Sequence, residues 1–300
     1  MLYLCFSIVG MTGLALALRS GVDRGASPAG LNTVFRLSAG AGMLLIALPT
    51  LEWARLPDLL PQAGVLGLIA AVGFWGSGYS AINAVSHGHL GVTWTLMRCA
   101  MLVPSLAALF YWREVPLSPP SLLLVLRLAG IATTTTAIVL LGYDRVRRGG
   151  VGGSASGRGS SGRWLFWMVS AYASQAVWET SVVASRQLPD DACRVLFVTI
   201  VFGTAAVFSA VFSLLTRSGL GRADVRFGLL AGACSVVGSG ARVWATRDLG
   251  GLVVIPVTAV TVTFLVQSAS YTVWRERMGR WGVAGFIAAV AGVLLLSLKL

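Results

Sequence analysis

The sequence predicts an all-α membrane protein, with ten transmembrane helices arranged as two inverted five-helix repeats. Three observations predict it. The first is composition: of 300 residues, 56% are apolar and 11% are charged, and the mean hydropathy is +0.80. A soluble domain carries about 25% charged residues, so no water-facing surface can be assembled here and the outside must face lipid. The second is a division into ten apolar runs, each near the roughly 20 residues that a helix needs to cross a bilayer. The third is a gapless internal repeat. Gly76-Ser77-Gly78 returns as Gly238-Ser239-Gly240. Gly88, Leu90 and Val92 return as Gly250, Leu252 and Val254, and Trp112-Arg113-Glu114 returns as Trp274-Arg275-Glu276, all at one offset of 162 residues. A unit of half the chain is far longer than a solenoid repeat.

The runs fall at about 1–18, 31–50, 62–84, 90–112, 121–142, 164–184, 195–216, 226–246, 250–273 and 281–298. In lipid the backbone must satisfy its polar groups internally, so each run is read as a helix. A β-barrel would show alternating segments of roughly ten residues. The first run has no basic residue before Arg19, which makes it a spanning helix rather than a cleavable leader. The third and eighth runs carry the Gly-Ser-Gly repeats, whose glycines permit close helix approach. The fifth run contains Leu128-Ala129-Gly130-Ile131, which resembles Val283-Ala284-Gly285-Phe286 in the tenth at offset 155. The Pro-rich connector Pro116 to Pro120 accounts for the difference.

Between the fifth and sixth runs lies Arg145 to Arg163, rich in Gly, Ser and Arg. It has too little apolar surface to fold and reads as a flexible linker. The chain therefore divides into a first repeat (1–144), the linker (145–163) and a second repeat (164–300). Five is odd, so the second repeat enters the membrane with the opposite orientation. The greater share of arginines lies in connectors after the odd-numbered helices, which places both termini outside the cytoplasm.

The net charge of +12 belongs to loop arginines between apolar runs, not to a nucleic-acid-binding face. Cys5, Cys99, Cys193 and Cys234 are scattered and form neither a disulfide framework nor a zinc pattern. His87 and His89 pair in the turn after the third run, and Asp190-Asp191 sits in a loop. Neither has a third ligand in sequence, so no metal site is expected. No nucleophile, metalloprotease or phosphate-loop motif is present. The expectation is a protein that is not an enzyme and carries no cofactor.

Ionisable residues inside a membrane are costly and mark function. The predicted spans hold Arg36, Arg98, Arg127, Glu179 and Arg242. Trp94, Arg98, Met101 and Ser105 share one helical face. Arg98 there either holds a substrate carboxylate or phosphate with its planar fork or pairs with another helix. Tyr172, Gln175 and Glu179 share a face of the sixth helix. Glu179 either carries a coupling proton or pairs statically with Arg36 or Arg242. Trp75, Tyr79 and Asn83 share a face of the third helix, Ser235, Ser239 and Arg242 one of the eighth, and Thr263, Gln267, Ser270 and Trp274 a polar stripe on the ninth. Arg127 reads as an interfacial anchor. Glu114 and Glu276 close repeat-mate helices beside arginines, as interfacial anchors or gate latches.

The ten-helix repeat resembles the drug/metabolite transporter superfamily, in particular its EamA-like members. The likeness rests on Glu114 and Glu276 closing the fourth helix of each repeat, on Pro104 in the fourth helix, and on the Pro28 to Arg36 stretch. It implies a secondary active transporter, an exporter or exchanger of a small polar metabolite such as an amino acid or related organic anion, working by alternating access between the repeats. In that expectation Arg98 meets an anionic group, with Trp94 on the same face. Tyr79, Asn83, Gln175 and Gln267 supply hydrogen bonds, Glu179 couples protons, and Glu114, Glu276, Arg36 and Arg242 gate or support. A lipid-linked sugar or lipid flippase on the same fold is the alternative. The expected partners are a small-molecule substrate and the lipid bilayer of a bacterial plasma membrane, with no nucleic acid; a homo-oligomer is compatible with this reading.

Overall fold

A computed structural model of the protein describes residues 1–51, 53–87, 90–110, 122–149, 159–217, 219–249, 251–276 and 278–297. Among these residues the secondary structure is entirely helical. The helices are α1 (Leu2–Asp23), α2 (Pro28–Ala47), α3 (Leu56–His87), α4 (Leu90–Arg98), α5 (Leu102–Phe110) and α6 (Leu122–Gly149). The second half holds α7 (Gly159–Ala184), α8 (Asp191–Thr216), α9 (Arg222–Ser235), α10 (Ala241–Leu249), α11 (Gly251–Thr272) and α12 (Arg280–Ser297). A 3₁₀ turn, Cys99–Met101, joins α4 to α5, and a π turn, Val236–Gly240, joins α9 to α10. Among the described residues the helices thus form ten rods. Six stretches are long and apolar enough to cross a membrane.

The surface agrees with that reading. Val9, Leu45, Val65, Phe166 and Leu215 are each more than half exposed, an arrangement that soluble monomers avoid. Inside, Trp164, Trp178, Phe35, Phe197 and Phe202 are fully buried. Phe74 lies 5.1 Å from the Trp178 ring and 4.7 Å from Phe202, tying α3 to α7 and α8.

Helix ends are set by local chemistry. Ser27 caps α2 by accepting the Gly30 N–H at 3.0 Å, and Pro28 takes the first helical position, where its missing N–H costs nothing. Asp190 caps α8 by accepting the Cys193 N–H at 2.8 Å. Asp224 is buried and accepts from two backbones, Gly221 N at 2.7 Å and Ser27 N at 2.8 Å. One carboxylate therefore holds the starts of α9 and α2 side by side.

Contacts along the rods give their relative directions. α2 runs parallel to α9: Gly30 faces Asp224, Val34 faces Gly228 and Ser38 faces Gly232. α3 runs parallel to α8, with Gly67 against Ile200 and Tyr79 ringed by Phe212. α3 is antiparallel to α7, with Gly73 at Trp178 and Tyr79 at Trp167. α1 is antiparallel to α9, with Gly10 at Gly238 and Gly21 at Phe227. α6 and α12 are antiparallel, with Gly285 at Leu141 and Gly292 at Thr134. α4 meets α11 at Gly91 and Gln267. Exchanging each rod for the one five places later maps these pairings onto one another.

The structure refines three sequence expectations. α6 continues to Gly149 and α7 starts at Gly159, so both ends of the predicted linker are helical. Arg145, Arg147 and Arg148 are good helix formers and extend the turn beyond the apolar run. Arg127 is 5% exposed, so protein covers it and it does not reach for an interface. The helices also overrun most of the predicted spans, because hydropathy marks the lipid-buried segment whereas caps set the helix ends. Glu114, the Pro116 to Pro120 connector and His89 lie outside the described residues.

Candidate functional site

Two irregular turns lie beside the buried arginines in sequence. Pro104 has no N–H for the Ala100 carbonyl and would crowd it, and the 3₁₀ turn Cys99–Met101 sits there. Immediately before that turn is Arg98. Across the molecule the π turn Val236–Gly240 contains the second Gly-Ser-Gly, and a Cβ on Gly238 would lie 2.8 Å from the Met11 backbone nitrogen. Only glycine allows α1 that close. Arg242 follows that turn by two residues. Single π turns within α-helices occur frequently at functional sites.

Between them stands Glu179 of α7. Its Oε1 accepts from Arg242 Nη1 at 2.8 Å and from Gln175 Nε2 at 2.7 Å. Its Oε2 lies 2.7 Å from Arg242 Nη2, a close charge contact whose angle is poor for a hydrogen bond. Arg98 Nη1 is 3.8 Å from the same Oε1. The Arg98 guanidinium also stands 5.3 Å from the Trp94 ring centre, a cation–π contact. Arg98, Glu179 and Arg242 are all buried. The cluster holds two guanidinium groups and one carboxylate, a net charge of one positive among buried side chains.

Its polar capacity is unfilled. Arg98 Nε and Nη1, Trp94 Nε1, Thr263 Oγ1 and Gln267 Oε1 are buried with no hydrogen-bond partner among the described residues. They lie on two facing helices, α4 and α11, which belong to different halves. A native interior leaves few such groups unpaired, and each costs about 1–3 kcal/mol. A small cavity of about 10 Å³ touches Arg98, Thr95 and Thr263, room for about one water.

The structure thus brings together five of the predicted residues, Arg98, Trp94, Gln175, Glu179 and Arg242, with Gln267 beside them against Gly91. Glu179 takes Arg242 as its partner, one of the two pairings the sequence offers. Others sit elsewhere. Tyr79 stacks on Trp75 at 5.9 Å and meets Trp167 and Phe212 edge-on, within an aromatic group between α3, α7 and α8. Asn83 donates to the Tyr79 carbonyl of its own helix at 2.8 Å. Arg36 is sandwiched between Phe35 and Phe74, 4.1 and 3.8 Å from their ring centres, and donates to the Phe74 carbonyl.

Two ionic networks close opposite ends of the bundle. Arg19 is 3.1 Å from Glu276, 3.2 Å from Asp23, and donates to the Val85 carbonyl at 3.1 Å, gathering the ends of α1, α3 and α11. Ser270 donates to Glu276, and Trp274 to Asp23. At the other end Asp190 meets Arg55 at 2.7 Å, and Asp191 meets Arg194 at 2.8 Å and Arg247 at 2.6 Å. The Cys193 N–H, and after it the Arg55 hydrogen bond, hold the Asp190 carboxyl below its ordinary range. Asp190 and Asp191 are therefore cap and clamp, and the described residues hold no cluster of three metal-ligating side chains. His87 faces Ser86 and the Asn83 carbonyl. Sequence reasoning missed Arg19 and Asp224. Both lie at span ends, where charge is common, and only the fold shows what they join.

Twenty solved chains match this structure. One, described as "Crystal structure of protein", aligns with a TM-score of 0.57 and 20% identity over 98% of this chain and 94% of that chain. At that identity the likeness reaches the fold alone. No family model and no curated protein matches the sequence.

Proposed function

We propose that this protein is an EamA-like secondary transporter, a multi-pass exporter or exchanger of a small polar organic anion in a bacterial plasma membrane. The observation that carries the reading is the buried cluster of Arg98, Arg242 and Glu179, with two cations against one carboxylate. A buried excess charge is costly, and a bound monoanion removes it. The unpaired donors on Arg98 and Trp94 and the unpaired acceptors on Thr263 and Gln267 give an amino acid or similar metabolite both kinds of contact.

The rod directions support an inverted repeat. Ten rods, five to a half, alternate in direction wherever contacts fix it, and the pairings survive exchange of the halves. The site draws Arg98 from the first half and Glu179 and Arg242 from the second, so rocking of one half against the other would open it to either side. Glu179 then acts as the substrate's competitor. A monoanion neutralises the site with Glu179 ionised, and a dianion does so when Glu179 takes a proton. Either loaded state is neutral and crosses the membrane interior at lower cost. The end networks at Arg19–Glu276 and at Asp190–Asp191 are the contacts that each opening would break in turn.

Counterflow in proteoliposomes tests the reading. Vesicles loaded with a mixed metabolite pool should exchange one class of organic anion, scored by mass spectrometry. Silence toward every amino acid, organic acid and phosphate ester would overturn it.

A further inference from the structure

On the outer face of α11 and α12 lies an apolar groove of about 420 Å³, bounded by Thr261, Phe264, Phe286, Ile287, Ala291 and Leu294. Phe264 and Ile287 stand 58% and 62% exposed, so the groove is open on its lipid side. Its floor includes Val260 and Val290. The same two valines wall the small cavity that reaches Thr95, Thr263 and Arg98. An outward apolar groove and a buried guanidinium are therefore separated by one layer of valine side chains.

The two ends of this path differ in chemistry. At the inner end, among the described residues, Arg98 has two buried N–H-bearing atoms without a hydrogen-bond partner, and its acidic neighbour Glu179, at 3.8 Å, is already held by Arg242. At the outer end every lining side chain but Thr261 is a hydrocarbon. A ligand matching both carries one negative charge on a compact head and an unbranched apolar tail. Val260 and Val290 line both spaces, so displacement of these two side chains is what would join them.

We infer that the protein takes carboxylates bearing an acyl tail from the bilayer, with the head at Arg98 and the tail in the α11–α12 groove. The inference goes beyond the small polar anion of the proposed function and rests on the same reading of Arg98 as the anion-binding group. Entry is sideways from lipid, between α11 and α12, with no need for the head to pass through either ionic end network.

Photolabelling tests it with the full-length protein in uncharged phosphatidylcholine vesicles. The probe is a diazirine-bearing long-chain fatty acid at a pH where it is ionised, and its control is the methyl ester of the same chain. One charge-assisted hydrogen bond at Arg98 should enrich acid label on Phe264, Phe286, Ile287 and Leu294 about tenfold over ester label. Both probes should label other exposed residues such as Val9 and Val65 equally. Arg98→Gln should reduce acid labelling of the groove to the ester level, and Arg98→Lys should retain most of it. Identical acid and ester maps, or an Arg98→Gln map like the wild type, would overturn the inference as labelling by annular lipid. If small-anion counterflow still depends on Arg98 in that case, the transporter reading survives without the lateral route. If counterflow is also indifferent to Arg98, both fail.

Discussion

Among the described residues Glu179 is the carboxylate that meets both buried arginines, Arg98 and Arg242, so its substitution exposes the electrostatics of the interior most directly. Glu179→Gln should lower thermal stability strongly, by about 3–5 kcal/mol, because it strands two buried cations. Glu179→Leu combined with Arg242→Met should recover part of that loss, since a hydrophobic replacement of a buried pair is often neutral while Arg98 stays without its carboxylate. Thermal denaturation of the purified variants followed by fluorescence decides it, and equal stability of Glu179→Gln and wild type would refute the buried pairing. The residues of this cluster were legible in the sequence because an ionisable group inside an apolar run stands out. Which of them meet was not. Glu179 faced two arginine candidates, and only the fold, which brings the Arg242 side chain to Glu179, selects between them. Tyr79 and Asn83 share a helical face with Trp75, but a face does not say which neighbours cover it, and here the neighbours of Tyr79 are Trp167 and Phe212.

At the scale of the element, the 3₁₀ and π turns place the arginines. Pro104→Ala restores the missing N–H and should straighten α4 into α5, raising helix stability while moving Arg98 away from Glu179. Counterflow should fall while the melting temperature holds or rises; unchanged counterflow would detach the turn from the site. Gly238→Ala puts a methyl against the Met11 backbone and should destabilise the α1 contact, whereas Gly240→Ala, with open space at its Cβ, should not. Asp190 at the α8 cap has a lowered pKa, so its contribution is full above the unfolded carboxylate value and fades as pH falls through the lower folded value. Asp190→Asn, which keeps a capping oxygen but drops the charge, should therefore melt below wild type at pH 7 and converge with it under strong acid. Ten runs of apolar sequence gave the rods correctly in number and near-correctly in place. The irregular turns were not legible as such: Pro104 and the Gly-Ser-Gly motifs were visible, but a 3₁₀ or π turn depends on what the neighbouring helix allows.

Across the whole molecule, alternating rod directions and exchangeable pairings support two halves related by inversion, while the charged cluster breaks that relation. Val260 stands where the repeat would return Arg98, and Ser80 where it would anticipate Arg242. The rod pairings exchange and the charged residues do not, which is why the sequence repeat is silent about the site. Arg55 and Val85, near opposite ends of the 32-residue α3, lie about 45 Å apart along its axis, so the two ionic networks close opposite ends. Arg19→Ala should free the α1, α3 and α11 ends; spin labels across that end should show a broader, longer distance distribution, and an unchanged one would remove the network from gating.

The most direct test of the central claim is substrate counterflow by wild type, Arg98→Ala and Arg98→Lys in proteoliposomes, with and without an imposed pH gradient. The account predicts exchange of an organic anion by wild type, its loss in Arg98→Ala, partial retention in Arg98→Lys and, where the anion is a dianion, a response to the gradient that Glu179→Gln abolishes. Exchange by Arg98→Ala at the wild-type rate would contradict it.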